Sequence, residues 1–144
     1  MAQSCRGALE GLRAGTIPAG LVFPESGLGA QQEKWLALLE RNEFPDQNPG
    51  ELPGEWMVQP EWEVQLDACP RKNWLAWLHL GVMRMERFDD DGAEAAWKES
   101  IRQKPSAWAF RNLAVLSLRR GDPERALSEY QQAWQLIVTQ GSPP

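Results

Sequence analysis

The residues that could do chemistry are few and poorly placed to act together. Asp89-Asp90-Asp91-Gly92 is the densest acidic run and invites a calcium reading. An EF-hand loop needs acids at alternate positions and a bidentate Glu at its end, but Ile101 and Arg102 occupy that neighbourhood. The run therefore reads as a turn, with Asp89 as a helix N-cap and two acids in the first turn at the positive end of the helix dipole. His79 is the one histidine of the chain. It has no Cys, Asp or Glu at ligand spacing and reads as a surface or groove residue. Glu61 and Glu63 stand two apart, so a helix points them in different directions and they make poor acid/base partners. Cys5 and Cys69 form no C-x-x-C and have no activating neighbour, so both read as structural or incidental thiols. No catalytic residue, metal ligand set or cofactor motif emerges from these residues. The sequence describes a protein that binds rather than one that transforms.

The elements that position these residues differ between the two parts of the chain. Residues 1–60 of the 144 hold six Pro and eight Gly, against five Pro and four Gly in 61–144. Breakers that dense oppose long helices in the first part and permit them in the second. Charge divides similarly: residues 1–70 carry eleven acids and four bases, residues 71–144 nine acids and eleven bases. The overall charge of −5 argues against a nucleic-acid binder, which needs a concentrated basic face. No apolar run reaches the length of a membrane span, and no apolar leader follows Met1, so the expected setting is the cytoplasm. Eight Trp commit the chain to aromatic packing or aromatic binding, because an indole must be mostly covered.

Residues 1–59 read as an irregular segment with helices near 4–14 and 26–41 and an extended piece at 17–23. The second helix carries Trp35, Leu36, Leu38 and Leu39 on its apolar side. Pro60 and Glu61 open a short helix over 60–68, in the favoured order of Pro and then acid. From Asn73 on, four amphipathic helices follow at roughly 73–87, 90–104, 106–120 and 123–139, with Asn73, Asp89, Ser106 and Asp122 at the N-cap positions. The expected fold is all-α, with 60–144 as a helical repeat domain.

The array is a repeat. A shift of 33 residues superposes Ala76 on Ala109, Leu80 on Leu113, Val82 on Val115, Arg87 on Arg120, Asp89 on Asp122 and Ala93 on Ala126; Gly81 falls on Ala114 and Trp97 on Tyr130. Small residues recur where neighbouring helices must approach closely, so Ala93 and Ala126 are expected at buried helix crossings. Trp77-x2-Leu80-Gly81, Ala93-x3-Trp97 and Pro105 resemble the tetratricopeptide pattern. The second copy keeps Phe110-x2-Leu113-Ala114, Ala126-x3-Tyr130 and Ala133. It departs at Val138, where the pattern has Pro, and Arg84 and Ser117 replace the usual Tyr. The resemblance covers about 74–140, in repeats of about 74–106 and 107–140, and implies an α-α superhelix that binds protein without catalysis.

Gly-Ala-Leu-Glu at 7–10, Trp35-Leu36-Ala37-Leu38-Leu39, Pro60-Glu61-Trp62 and Asn73-Trp74-Leu75-Ala76-Trp77 resemble a second pattern. It is one region of large bacterial proteins that join a carbohydrate-processing type of β-sandwich to tetratricopeptide repeats. On that alternative the chain is an accessory tail or C-terminal fragment, with the sandwich missing.

Stacked helix pairs line a concave wall with the first helix of each repeat. Leu75, Leu78, His79, Val82 and Met85 are expected on that wall in the first repeat, and Trp108, Arg111, Asn112, Val115 and Arg119 in the second. The resemblance implies that Arg111 and Asn112 hold peptide backbone or carboxylate, whereas Leu78 and His79 depart from that pattern. The competing reading packs this face against the N-terminal segment or another subunit. Trp134, Ile137 and Val138 form an apolar strip on the last helix, expected to self-associate or dock a partner unless Trp134 folds inward against Arg119 and Arg120. Glu129 is expected on the outer, exposed face. The partner is thus a protein or peptide, or a second copy, with no nucleic acid and no membrane. Trp62, Leu66 and Cys69 are expected to pack on Trp74 or Trp77.

Overall fold

A computed structural model describes residues 33–54 and 56–140. The expected helix near 4–14, the extended piece at 17–23 and the first turns of the helix expected from 26 lie outside them. Among the described residues the chain is all-helical: α1 Glu33–Arg41, α2 Pro60–Asp67, α3 Trp74–Glu86, α4 Asp90–Gln103, α5 Ala107–Arg119 and α6 Pro123–Gln140. The last four pack as two antiparallel hairpins, α3 on α4 and α5 on α6, with α5 also lying on α4. Helix α2 packs on α3 ahead of them, and Trp62, Leu66 and Cys69 join Trp74 in one buried cluster.

The local signals act as their chemistry dictates. Asn73, Asp89, Ser106 and Asp122 each accept a hydrogen bond from the backbone N–H three residues on, satisfying donors that a helix start leaves orphaned. Both hairpin turns close alike. The Asp89 N–H donates to the Arg84 carbonyl at 3.0 Å and the Asp122 N–H to the Ser117 carbonyl at 2.9 Å, the pattern of a Schellman motif. The left-handed residue it requires is Gly121 in the second turn (φ 79°) and Phe88 in the first (φ 62°).

Ala93 and Ala126 are both buried. At the first crossing the fit is tight, since a Cβ on Gly81 would collide with the Trp97 indole. The indole N–H donates to the Leu78 carbonyl at 3.1 Å. In the second hairpin Ala114 and Tyr130 hold the corresponding positions, a larger floor beneath a smaller ring.

The segment before residue 60 belongs to the core. Trp35, Leu38, Phe44 and Met57 are buried in the same cluster as Leu75, Leu78, Leu80 and Trp97. A boundary at 59 therefore does not separate two packing units. Helix α3 explains why: eight of its thirteen residues are buried, so it is apolar nearly all round and must be covered on both sides. Helix α4 covers one side, and α2 with the N-terminal segment covers the other.

Candidate functional site

The face predicted as a continuous concave wall is divided. Its first-repeat part is closed. Leu75, Leu78 and His79 are buried, so Leu78 and His79 do not stand open to a ligand, and His79 is not a surface or groove residue. Trp35, Phe44 and Trp56 stand around the imidazole with ring centroids at 5.1, 5.3 and 4.6 Å. His79 Nε2 donates to the Pro53 carbonyl at 3.0 Å, while Nδ1 has no hydrogen-bond partner among the described residues. That is the neutral tautomer with its proton on Nε2. Burial drives its pKa down to about 3, against the opposing pull of the Pro53 carbonyl. Val82 is half-buried against the same core.

The covering chain is the irregular stretch 44–54, held both through its backbone carbonyls and through the Asp46 and Gln47 side chains. Asn73 Nδ2 donates to the Phe44 carbonyl at 2.7 Å and Trp108 Nε1 to the Glu51 carbonyl at 3.1 Å. Trp74 Nε1 donates to the Asp46 carboxylate at 2.7 Å, and Lys104 pairs with its other oxygen at 3.1 Å. Burial works against the charged form of Asp46, but the bonds from Lys104 and Trp74 prevail and hold its pKa below the usual value. Lys34, on α1, bonds Gln47 and the Pro53 carbonyl; its partial burial lowers its pKa.

Beyond this covered stretch a groove opens between α5 and α6. Its volume is about 930 Å³, and Trp108, Arg111, Tyr130, Ala133, Trp134 and Ile137 shape it, with the loop tip at Pro49, Gly50 and Leu52 as a third wall. Arg111 is the one charged side chain among its described lining residues, and no ion pair joins it to another described residue. The floor at Ala133 is buried, whereas Trp134 is 67% and Val138 64% exposed. Trp134 therefore does not fold inward. Arg119 and Arg120 are engaged elsewhere, pairing with Asp90 at 3.6 Å and Asp91 at 2.7 Å.

The groove thus unites two sets of residues that the sequence reading kept apart, Trp108 and Arg111 from the wall and Trp134 and Ile137 from the strip. Asn112, Val115 and Arg119 lie outside its lining. Arg119 sits over the Phe88 ring at 4.9 Å, bridging the two hairpin turns. Asn112 is half-buried, and its Nδ2 is without a partner among the described residues. The loop tip was not foreseen as part of the site; no signal in a Pro/Gly run says which surface it lies on.

Glu129, expected on the outer face, is buried instead, 7% exposed. It accepts a bond from the Ser117 hydroxyl at 2.6 Å and pairs with Arg125 at 3.0 Å. The signal was present, because Ala126, Glu129 and Ala133 share the 3–4 spacing of one helix face. Arg125 and Arg120 also reach Glu94 on α4. Hydrogen bonds from Lys98, Arg125 and Arg120 hold the Glu94 carboxyl at about 2. This network ties α6 and the end of α5 to the first hairpin, and none of its residues lines the groove.

No described helix is long and apolar enough to cross a membrane. Comparisons of the chain with protein-family models, with curated proteins and with solved structures return no match.

Proposed function

We propose that this chain is a non-enzymatic interaction module of the tetratricopeptide type, binding a segment of a partner protein, or a second copy of itself, in the groove between α5 and α6. The observation that carries this reading is the open groove itself. It is about 930 Å³ in volume, walled by Trp, Tyr, Ile, Leu and Ala side chains among three glutamines, with one guanidinium at Arg111. Ligand sites have this size and this mixture of apolar wall and sparse polar anchors. Apolar side chains exposed together at that density mark a surface that is normally covered. The two stacked hairpins and the repeat of 33 residues support the family reading. The 44–54 stretch supports it too, because it lies on the array as an irregular chain held by side-chain bonds to its carbonyls.

Selection from a library of short random peptides tests the proposal. Selected peptides should bind the full chain saturably. They should lose at least tenfold in affinity against Trp134→Gln and against Arg111→Glu, both exposed positions. A library that yields no binder, or binders indifferent to both changes, overturns the reading.

A further inference from the structure

One repeat earlier, the helix equivalent to α6 has a following helix packed on it. The 33-residue shift places Trp97 on Tyr130, Ser100 on Ala133 and Ile101 on Trp134. On α4 the corresponding side chains are closed off: Trp97 and Ser100 are fully buried and bond the Leu78 and Trp74 carbonyls of α3, Ile101 packs against the core, and helix α5 packs on α4 from the following repeat. On α6 the equivalent face is open, with Tyr130 39% and Trp134 67% exposed.

We propose that the groove docks an amphipathic α-helix of a partner protein, laid along α6 as α5 is laid along α4. The inference rests on the interaction-module reading and names the class of partner. The lining of α6 runs from Tyr130 to Gln140, a rise of about 15 Å or some ten helical residues. That is close to the length of α5, thirteen residues. Ala133 forms a low floor between the larger Tyr130, Trp134 and Ile137, the relief into which a ridge of helix side chains fits. Residues 130–140 include no charged side chain, and Gln131, Gln135 and Gln140 border the Tyr130, Trp134, Leu136 and Ile137 wall, so the docking face of the partner helix is an apolar stripe with uncharged polar residues beside it. Arg111, at the edge of the groove and without an ion-pair partner among the described residues, calls for an acidic residue on the flank of that helix. The docked helix would continue the α4/α5 interface by one more step.

The probe is a synthetic peptide with the sequence of residues 106–120, because that helix occupies the equivalent face within the molecule. A second version carries Arg111→Glu to supply the acidic flank. The full chain is titrated with each to about 1 mM, and binding is read by hydrogen exchange of the amides of 130–140. Saturable protection of those amides is expected, tighter for the acidic version. Binding should weaken at least tenfold in Trp134→Gln and in a peptide made unable to form a helix by Leu113→Pro. Unchanged exchange in 130–140, or equal binding by Trp134→Gln, overturns the inference. Equal binding by the Leu113→Pro peptide overturns it in favour of an extended ligand and leaves the interaction-module reading standing. A stable dimer of the chain alone that Trp134→Gln dissociates also overturns it, assigning the groove to a second copy. If neither the helical peptides nor any library peptide binds, both readings fall together.

Discussion

The two hairpins share a sequence pattern, a turn closure and a capping scheme, yet one is covered on both faces and the other on one. The first hairpin lies beneath 44–54 and α2 on one side and against α5 on the other, and its inner residues Leu75, Leu78 and His79 are buried. The second has the loop tip at one edge and an open groove along α6. Identical repeat positions therefore carry different jobs. Where Trp97 is sealed under a neighbour, Tyr130 meets solvent, and where Ile101 packs inward, Trp134 stands out. A helical hairpin cannot bury all of its own faces, so its position among its neighbours decides whether an apolar side chain is sealed or left exposed.

The contrast is sharpest for two tryptophans of similar size. Trp35, which helps to cover the first hairpin, is fully buried among Phe44, Trp62 and His79. Trp35→Ala should cost about 3–5 kcal/mol, a large fraction of the roughly 5–15 kcal/mol typical of a domain. Trp134→Ala on the open face should stay within about 0.5 kcal/mol. Urea denaturation of the two variants decides it. Similar losses would mean that the second hairpin is also covered.

The next effect is read by acid. His79 has a folded pKa of about 3, below the ordinary value near 6.5 for an unfolded chain. The unfolded state therefore takes up the proton first. The contribution of the neutral ring is fully present above about pH 6.5 and is lost progressively as the pH falls toward 3. Between pH 7 and pH 5 this linkage should remove about 2 kcal/mol. A His79→Gln variant, whatever its own stability at pH 7, should lack that slope. Parallel pH profiles for the two proteins would show that the covering segment opens to let the ring charge.

The third effect compares the crossings. Gly81→Ala should destabilise by about 1–3 kcal/mol through overpacking against Trp97, despite the gain of roughly 1 kcal/mol in helix propensity. Trp97→Tyr in the same chain should recover part of the loss, because Ala with Tyr is the combination the second hairpin uses. Thermal melts of the two single variants and the double variant give the coupling; strict additivity would deny that the pairs are equivalent.

The repeat half of the fold was legible because its signals are local. Caps, breakers and the 3–4 spacing of small residues name helix ends and crossings without reference to distant residues. The closed state of His79 was not, although Trp74 to Met83 is apolar almost without interruption. Such a run states that a helix must be covered on every side, but not by what. The burial of Glu129 is written in its spacing and not in its charge, and the partner that offsets its burial, Ser117, lies on another helix. The groove was legible only in halves, since Trp108 and Trp134 are brought together by tertiary packing.

The manner in which the array holds 44–54 separates two properties that proteins often couple. Phe44, Glu51 and Pro53 are gripped by their carbonyl oxygens, groups that every amino acid supplies. The Leu52 side chain, exposed and facing the groove, takes no part in that grip. Sequence change at the loop tip can therefore reshape one wall of the groove while the anchoring bonds persist. Attachment and the shape of the groove wall are carried by different residues of one short stretch, which leaves the second free to drift while the first stays fixed.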